Sequence, residues 1–108
     1  MLKQFGQKTG WLTKYFVVEN PDPASLTGNN KNLLIGVNHQ KVIVTRKFNL
    51  ANLLEFPIHE FIYTFSGNSL FIENRTTGKN YTFLGNNLLL LHNMVQKYKL
   101  IYEFERGM

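Results

Sequence analysis

The sequence predicts a mainly β domain of about seven short antiparallel strands followed by one C-terminal helix. Three observations support this fold class. Residues 58–65, 70–74 and 81–84 are aromatic and β-branched runs in which apolar and polar residues alternate. Stretches rich in glycine and asparagine, which favour turns, join these runs. The segment after Gly85 then carries apolar residues at helical spacing.

The composition fits a single domain that needs no cross-link. The chain has 108 residues, 44% of them hydrophobic, and contains no cysteine, which excludes disulfides and thiolate metal sites. No apolar run reaches the roughly 20 residues of a membrane-spanning helix. The first residues also do not have the pattern of a signal peptide. We therefore expect a cytoplasmic protein in which a flexible arm, residues 1–10, precedes one domain, residues 11–108.

The first half of the chain predicts three strands and one long loop. Residues 11–18 form the first run, which stops near two prolines because proline lacks a donor for the ladder. Leu33–Val37 and Lys41–Arg46 form a hairpin. Their turn contains Asn38, a residue type that tolerates a left-handed backbone. The long loop over residues 20–31 is either a binding element or simply flexible.

Residues 47–56 leave two local structures open. Three leucines at helical spacing follow Asn49, a residue type that caps helices. A short strand over residues 53–56 is the alternative. Pro57 ends the segment in either case.

The C-terminal helix, with Asn86 or Asn87 as its N-cap, carries apolar side chains on two faces. The face predicted to pack on the sheet comprises Leu88, Leu91, Val95, Tyr98 and Tyr102, widened by Met94 and Ile101. On the opposite side, Leu89, Leu100 and Phe104 lie among polar residues. One interpretation is that the last turn packs Phe104 against the domain while a loop covers Leu89. The other is a second contact surface, for a homo-oligomer or for a partner protein.

The basic residues raise the alternative of an anionic partner. The formal net charge is +5, which favours contact with lipid headgroups, nucleic acid or an acidic protein surface. The candidate contact residues are Lys14, Lys31, Lys41, Arg46 and Lys47. A solvated basic surface that aids solubility explains the same residues.

The titratable residues form no pattern of an active site or a metal centre. His39, His59 and His92 are not at metal-ligand spacing. No two acidic residues are spaced as an acid/base dyad, and the glycines form no phosphate-binding loop. On a strand, His59 and Glu60 would point to opposite faces and would not serve one site. We expect no catalysis, no cofactor, no metal and no small-molecule substrate.

Three features carry a resemblance to a known fold: Phe56-Pro57-Ile58 at the start of a strand, the segment SGNSLFIENRTTGKNYTF, and the amphipathic C-terminal helix. With them the chain resembles the pleckstrin-homology (PH) superfold, and its bacterial PH-like and GRAM-like branches most closely. The resemblance implies a strongly bent antiparallel barrel with one end closed by the helix. In lipid-binding members, closely spaced basic residues in the loop after the first strand bind an inositol phosphate. Here that loop has Lys31 alone, with Lys14 on the preceding strand.

These observations lead to three functional hypotheses. The first is a non-catalytic binding or assembly module that acts through protein contacts, with Leu89, Leu100 and Phe104 as the main residues and the loop 20–31 as the second site. The second is association with an anionic membrane surface or nucleic acid through the five basic residues. The third is a phage- or plasmid-encoded structural or inhibitor protein, which rests on compact length and composition alone.

Overall fold

The computed structural model of this chain describes residues 13–21, 32–48 and 52–107, with side chains as far as residue 105. The predicted arm 1–10, the start of the predicted strand 11–18, and most of the loop 20–31 lie outside the described residues. The described elements are β1 (Lys14–Val18), β2 (Leu33–Val37), β3 (Lys41–Arg46), β4 (Asn52–Pro57), a 3-10 helix (Ile58–Glu60), β5 (Ile62–Ser66), β6 (Ser69–Asn74), β7 (Lys79–Leu84) and α1 (Leu88–Gly107).

The mainly β fold with one C-terminal helix is confirmed. Strands β1 to β4 pair antiparallel in sequence order, and so do β5 to β7. The described strands form two sheets that do not close into the barrel implied by the resemblance, and the 3-10 helix connects the last strand of one sheet to the first strand of the other. One isolated bridge joins the sheets, in which Glu19 and Leu84 exchange N–H···O bonds of 3.0 and 2.9 Å.

The turn between β2 and β3 is built by the side chain of Asn38. Its Oδ1 accepts hydrogen bonds from the backbone N–H groups of Gln40 and Lys41, at 2.8 and 2.9 Å. Among the described non-glycine residues, Asn32 alone has a positive φ, of 58°. The expectation of a left-handed Asn38 was therefore wrong, because its amide closes the turn without that conformation.

The segment before Pro57 is a strand. β4 pairs with β3 along its length, with a register shift between Val44 and Thr45. Of the two alternatives for residues 47–56, the strand is correct from Asn52 onward, while Asn49 lies outside the described residues.

Residues 58–60 were predicted to begin a strand, and this was wrong. They form a 3-10 helix, and β5 starts only at Ile62. Ile58 and Phe61 are both fully buried, at 1% and 0% exposure. Two residues that are three positions apart lie on opposite faces of a strand but on the same side of a 3-10 helix. The 3-10 turn therefore lets both side chains enter one core.

The core is formed by inward-facing residues of both sheets and the inner side of α1. Its largest fully buried side chains include Phe61, Phe83, Leu33, Ile35, Leu70, Ile72, Leu88 and Leu91. The predicted alternation holds in β6 and β7, where Leu70, Ile72, Tyr81 and Phe83 point inward. No helix in the described part of the chain is long and apolar enough to cross a membrane.

Candidate functional site

Polar contacts anchor α1 to β5. The Tyr63 hydroxyl lies 2.8 Å from His92 Nδ1 and accepts a 2.7 Å hydrogen bond from Gln96 Nε2. One turn further on, the Lys99 ammonium donates to the carbonyl oxygen of Phe61 at 2.5 Å. These bonds fix the rotation of the helix about its axis. They thereby determine which residues of α1 face solvent.

Ring stacking strengthens the same attachment. The imidazole of His92 stacks on Phe65, with 5.0 Å between ring centroids and 10° between planes. Near the other end of the helix, His59 stacks on Tyr102 at 4.5 Å and 8°. Both histidines are thus placed as packing partners of aromatic rings along α1.

Burial shifts the pKa of two groups in this contact zone. Desolvation raises the pKa of the Tyr63 hydroxyl above its ordinary value, and the hydrogen bond from Gln96 offsets part of the shift. Desolvation also lowers the pKa of the Lys99 ammonium, and the Glu103 carboxylate offsets part of that shift. Both directions follow from the cost of a charge in a partly buried position. The contact zone between β5 and α1 therefore stabilises the uncharged form of the Tyr63 hydroxyl.

The outer face of α1, defined as Leu89, Leu100 and Phe104, is exposed. Their side chains are 59%, 70% and 70% accessible, whereas Leu88 and Leu91 on the inner side are buried. The described part of the chain does not cover Phe104 and Leu89, as one interpretation of the sequence predicted. Leu100 and Phe104 lie one helical turn apart, so they form one apolar group on the surface.

Two further apolar residues of α1 are exposed beside this face. Leu90 and Ile101 are 44% and 37% accessible. The placement of Ile101 on the packing stripe was wrong, whereas Met94, its predicted companion, does pack on the core. Leu90 was not predicted to be exposed. A helix turns about 100° per residue, so Leu90, two positions after the buried Leu88, lies on the opposite side of the helix. Ile101 extends the group of Leu100 and Phe104.

The described basic residues do not come together in one place. Lys41 and Arg46 stand at opposite ends of β3, roughly 17 Å apart at the rise of a strand. Lys41 Nζ also lies 3.4 Å from Glu55 Oε2. Lys14 and Lys47 are exposed, the first at the start of β1 and the second just after β3. Contact of these residues with an anionic partner stays a prediction.

The remaining predictions concern the loop 20–31, the expected lack of a metal centre, and the pair His59 and Glu60. Lys31 and most of the loop 20–31, the second predicted protein-contact site, lie outside the described residues. Among the described residues, no group of three or more His, Asp or Glu side chains could hold a metal ion. His59 Nε2 lies 3.2 Å from Glu60 Oε2. The expectation that these neighbours point apart was wrong, because they belong to the 3-10 helix and not to a strand.

Comparison with known proteins supports the fold alone. No family model matches the chain, and no curated protein does. Among solved structures, it is similar to a chain in the crystal structure of the FERM and C-terminal domain complex of Drosophila Merlin, with a TM-score of 0.72 and 18% identity. The match covers 98% of this chain and 35% of that chain, so this chain spans about a third of its relative. The seven described strands, the C-terminal helix and this likeness are compatible with a PH-like fold.

Proposed function

We propose that this PH-like domain is a non-catalytic binding module that acts through protein contacts at the outer face of α1. The observation that carries the proposal is the exposure of Leu89, Leu100 and Phe104 on a helix whose opposite side is buried and anchored. Single exposed apolar residues are normal on protein surfaces, but a group on one rigid element is typical of a contact site.

The C-terminal half of the face is the stronger part of the site. Leu100, Ile101 and Phe104 are contiguous on the helix surface and together expose two large aliphatic side chains and one aromatic ring. Burial of one such side chain contributes about 1.5–3 kcal/mol. A partner with an apolar groove or helix would bury all three at once. This arrangement fits recognition of a helix face, in which residues at steps of three and four form the contact.

The likeness to a solved structure adds a limited argument. By its title, that structure is a complex of a FERM and a C-terminal domain of Merlin. In that structure, a chain that contains this fold therefore takes part in a complex between protein domains. A closer relation to bacterial PH-like and GRAM-like domains remains part of the proposal and rests on the residues that carry the resemblance. The fold by itself does not determine function.

The test of the proposal replaces Leu100 by glutamate. The position is 70% exposed, so we expect Leu100→Glu to change the free energy of unfolding by less than about 0.5 kcal/mol. The same change places a charge in the centre of the proposed contact. If the partner is a second copy, light scattering after size-exclusion chromatography should show a concentration-dependent mass above 12.6 kDa for the unmodified chain. Leu100→Glu should give the monomer mass at every concentration.

A matched control separates the contact from the added charge. Thr76→Glu adds one negative charge at an exposed position of the turn between β6 and β7 and should behave as the unmodified chain. If the partner is another protein, quantitative cross-linking in cells of the source organism should show proteins that Leu100→Glu loses and Thr76→Glu keeps. A chain that is monomeric and keeps the same cross-linked proteins in both variants would remove the helix face from consideration.

A further inference from the structure

A cleft of about 660 Å³ lies beside the outer edge of β1, away from the C-terminal half of α1. One wall is β1 together with Glu19, the residue that follows it. The other is formed by the turn after β5 and the segment between β7 and α1, and includes Asn68, Asn86 and Asn87. We call this space the β1 cleft. Its volume is within the range of ordinary peptide and ligand sites.

The backbone of β1 turns hydrogen-bonding groups toward this cleft. Glu19 directs both its N–H and its C=O away from β2, since both are bonded to Leu84. Along an antiparallel strand, these groups point to the same edge at every second residue. Val17 and Tyr15 therefore direct theirs to the same outer edge. No bond to either outer group is found among the described residues.

The chain after β7 covers one residue of this edge and then leaves it. Leu84 pairs with Glu19, but the next possible pair, between Val17 and Asn86, is not formed. The chain diverges at Gly85, where an added Cβ would lie 2.9 Å from the Val17 carbonyl oxygen. The segment that ends at Leu84 thus pairs antiparallel with this edge at Glu19. The β1 cleft opens after Leu84, where that segment leaves the edge.

The opposite wall offers groups that suit a polypeptide backbone. The side-chain amides of Asn68, Asn86 and Asn87 are exposed, and none of the three makes a hydrogen bond within the described ranges. A carboxamide both donates and accepts, as a peptide group does. A strand placed in the cleft would have one edge bonded to β1 and its other edge within reach of these amides.

We propose that the β1 cleft binds an extended segment of another polypeptide, which adds antiparallel to β1 as a fifth strand of the first sheet. Main-chain hydrogen bonds to Tyr15 and Val17 supply the affinity in this mode of recognition. The exposed side chains of the same two residues, 43% and 60% accessible, favour apolar residues at alternate positions of the segment. Lys14 lines one end of the cleft and Glu19 the other. An antiparallel segment with a basic residue near its start and an acidic residue near its end complements these charges.

The test uses a phage-displayed library of random twelve-residue peptides, selected on the full chain. We expect enriched peptides with alternating apolar residues and an acidic residue toward the C-terminal end. Val17→Pro removes the N–H that faces the cleft and no bond of the β1–β2 ladder, a substitution that edge strands tolerate. It should weaken the selected peptides by about tenfold or more, as loss of a main-chain bond does. Val17→Thr changes the same side chain but keeps the N–H, so it should weaken binding less than Val17→Pro does.

If Val17→Pro does not fold, a second measurement tests the proposal with the unmodified chain. Each amide of a selected peptide is N-methylated in turn and titrated against the unmodified chain. Strand addition predicts the largest losses of binding at alternate amides, those whose N–H groups face β1. Leu100→Glu should leave peptide binding unchanged, since the outer face of α1 is a separate site. Failure to enrich any peptide, equal binding by a folded Val17→Pro, or N-methylation effects without a period of two would each overturn the proposal.

Discussion

Tyr63 shows how one side chain fixes the position of the helix that carries the proposed contact face. Gln96 Nε2 can only donate, so the Tyr63 oxygen accepts from it and the Tyr63 hydroxyl proton is free to go to His92 Nδ1. The imidazole is then held both by this bond and by stacking on Phe65. One hydroxyl therefore connects β5 to two successive turns of α1.

Removal of this hydroxyl should destabilise the domain. We expect Tyr63→Phe to lower the free energy of unfolding by about 1–2 kcal/mol, because the partly buried His92 and the exposed Gln96 both lose their bond. Urea denaturation followed by circular dichroism measures the change. Tyr98→Phe is the matched control, since no hydrogen bond to the half-buried Tyr98 hydroxyl is found in the described part of the chain. Equal effects of the two substitutions would contradict a role for the network.

The raised pKa of Tyr63 also predicts a pH dependence. In the unfolded chain the hydroxyl has its ordinary pKa of 10.0, whereas burial raises its pKa in the folded chain. The unfolded state therefore loses its proton first, and stability falls as the pH rises above about 10. The stability difference between the unmodified chain and Tyr63→Phe should shrink over this range. A difference that stays constant or grows from about one pH unit below to one above the ordinary tyrosine pKa of about 10 would contradict the shift.

At the scale of the element, two adjacent leucines of α1 test the assignment of its faces. Leu91 is fully buried and Leu90 is 44% exposed. Leu91→Ala should cost about 2–5 kcal/mol through lost burial and a cavity. Leu90→Ala, the same chemical change one residue away, should cost less than about 1 kcal/mol. Comparable losses in urea denaturation would mean that the helix is rotated from the position described.

Gly85 tests the junction of the two sheets. A Cβ at this position would lie 2.9 Å from the Val17 carbonyl oxygen and 3.1 Å from Val18 Cγ1. Because backbone forms part of the obstacle, Gly85→Ala should destabilise the domain by about 1–3 kcal/mol. Gly67→Asn is the control, since Gly67 has φ of 61° with open space around it and asparagine tolerates that conformation. Thermal melts of both variants test this. A lower melting temperature for Gly85→Ala than for Gly67→Asn would support a tightly packed junction, and equal melting temperatures would contradict it.

The predictable elements are those with a strong local period. The bounds of β2 and β3 agree with the runs seen in the sequence. The 3-10 turn at Ile58 was not predictable from the alternation, because its cause is the joint burial of Ile58 and Phe61 in a core that the whole chain assembles. The strand β4 was only one of two alternatives, since leucines at its start fit both periods.

The candidate sites also divide into those that a local sequence pattern predicts and those that depend on the assembled fold. Helical spacing was sufficient to place Leu89, Leu100 and Phe104 outward, because the inner stripe of α1 is determined by the same period. The pairing of Lys41 with Glu55, in contrast, depends on the register between β3 and β4. The β1 cleft depends on where β7 leaves β1, which no local pattern encodes.

At the scale of the whole molecule, the net charge of +5 predicts weak and salt-sensitive binding to polyanions. The described candidate residues, Lys14, Lys41, Arg46 and Lys47, lie apart at the ends of β1 and β3, so we expect no specific site for duplex DNA or anionic vesicles. Fluorescence anisotropy with labelled DNA should show binding at low salt that is lost near physiological salt. Binding that survives physiological salt and is lost in Lys47→Glu would instead support the anionic-partner hypothesis.

The bridge between Glu19 and Leu84 also has a consequence for how the domain folds. Every ladder within the two sheets joins strands that are neighbours in sequence, so each sheet can form from local hairpins. The bridge joins residues far apart in the chain, and closing that long loop is entropically costly before the core is complete. We therefore expect the junction to form after the folding transition state. Variants at Gly85 should accelerate unfolding while leaving the refolding rate nearly unchanged.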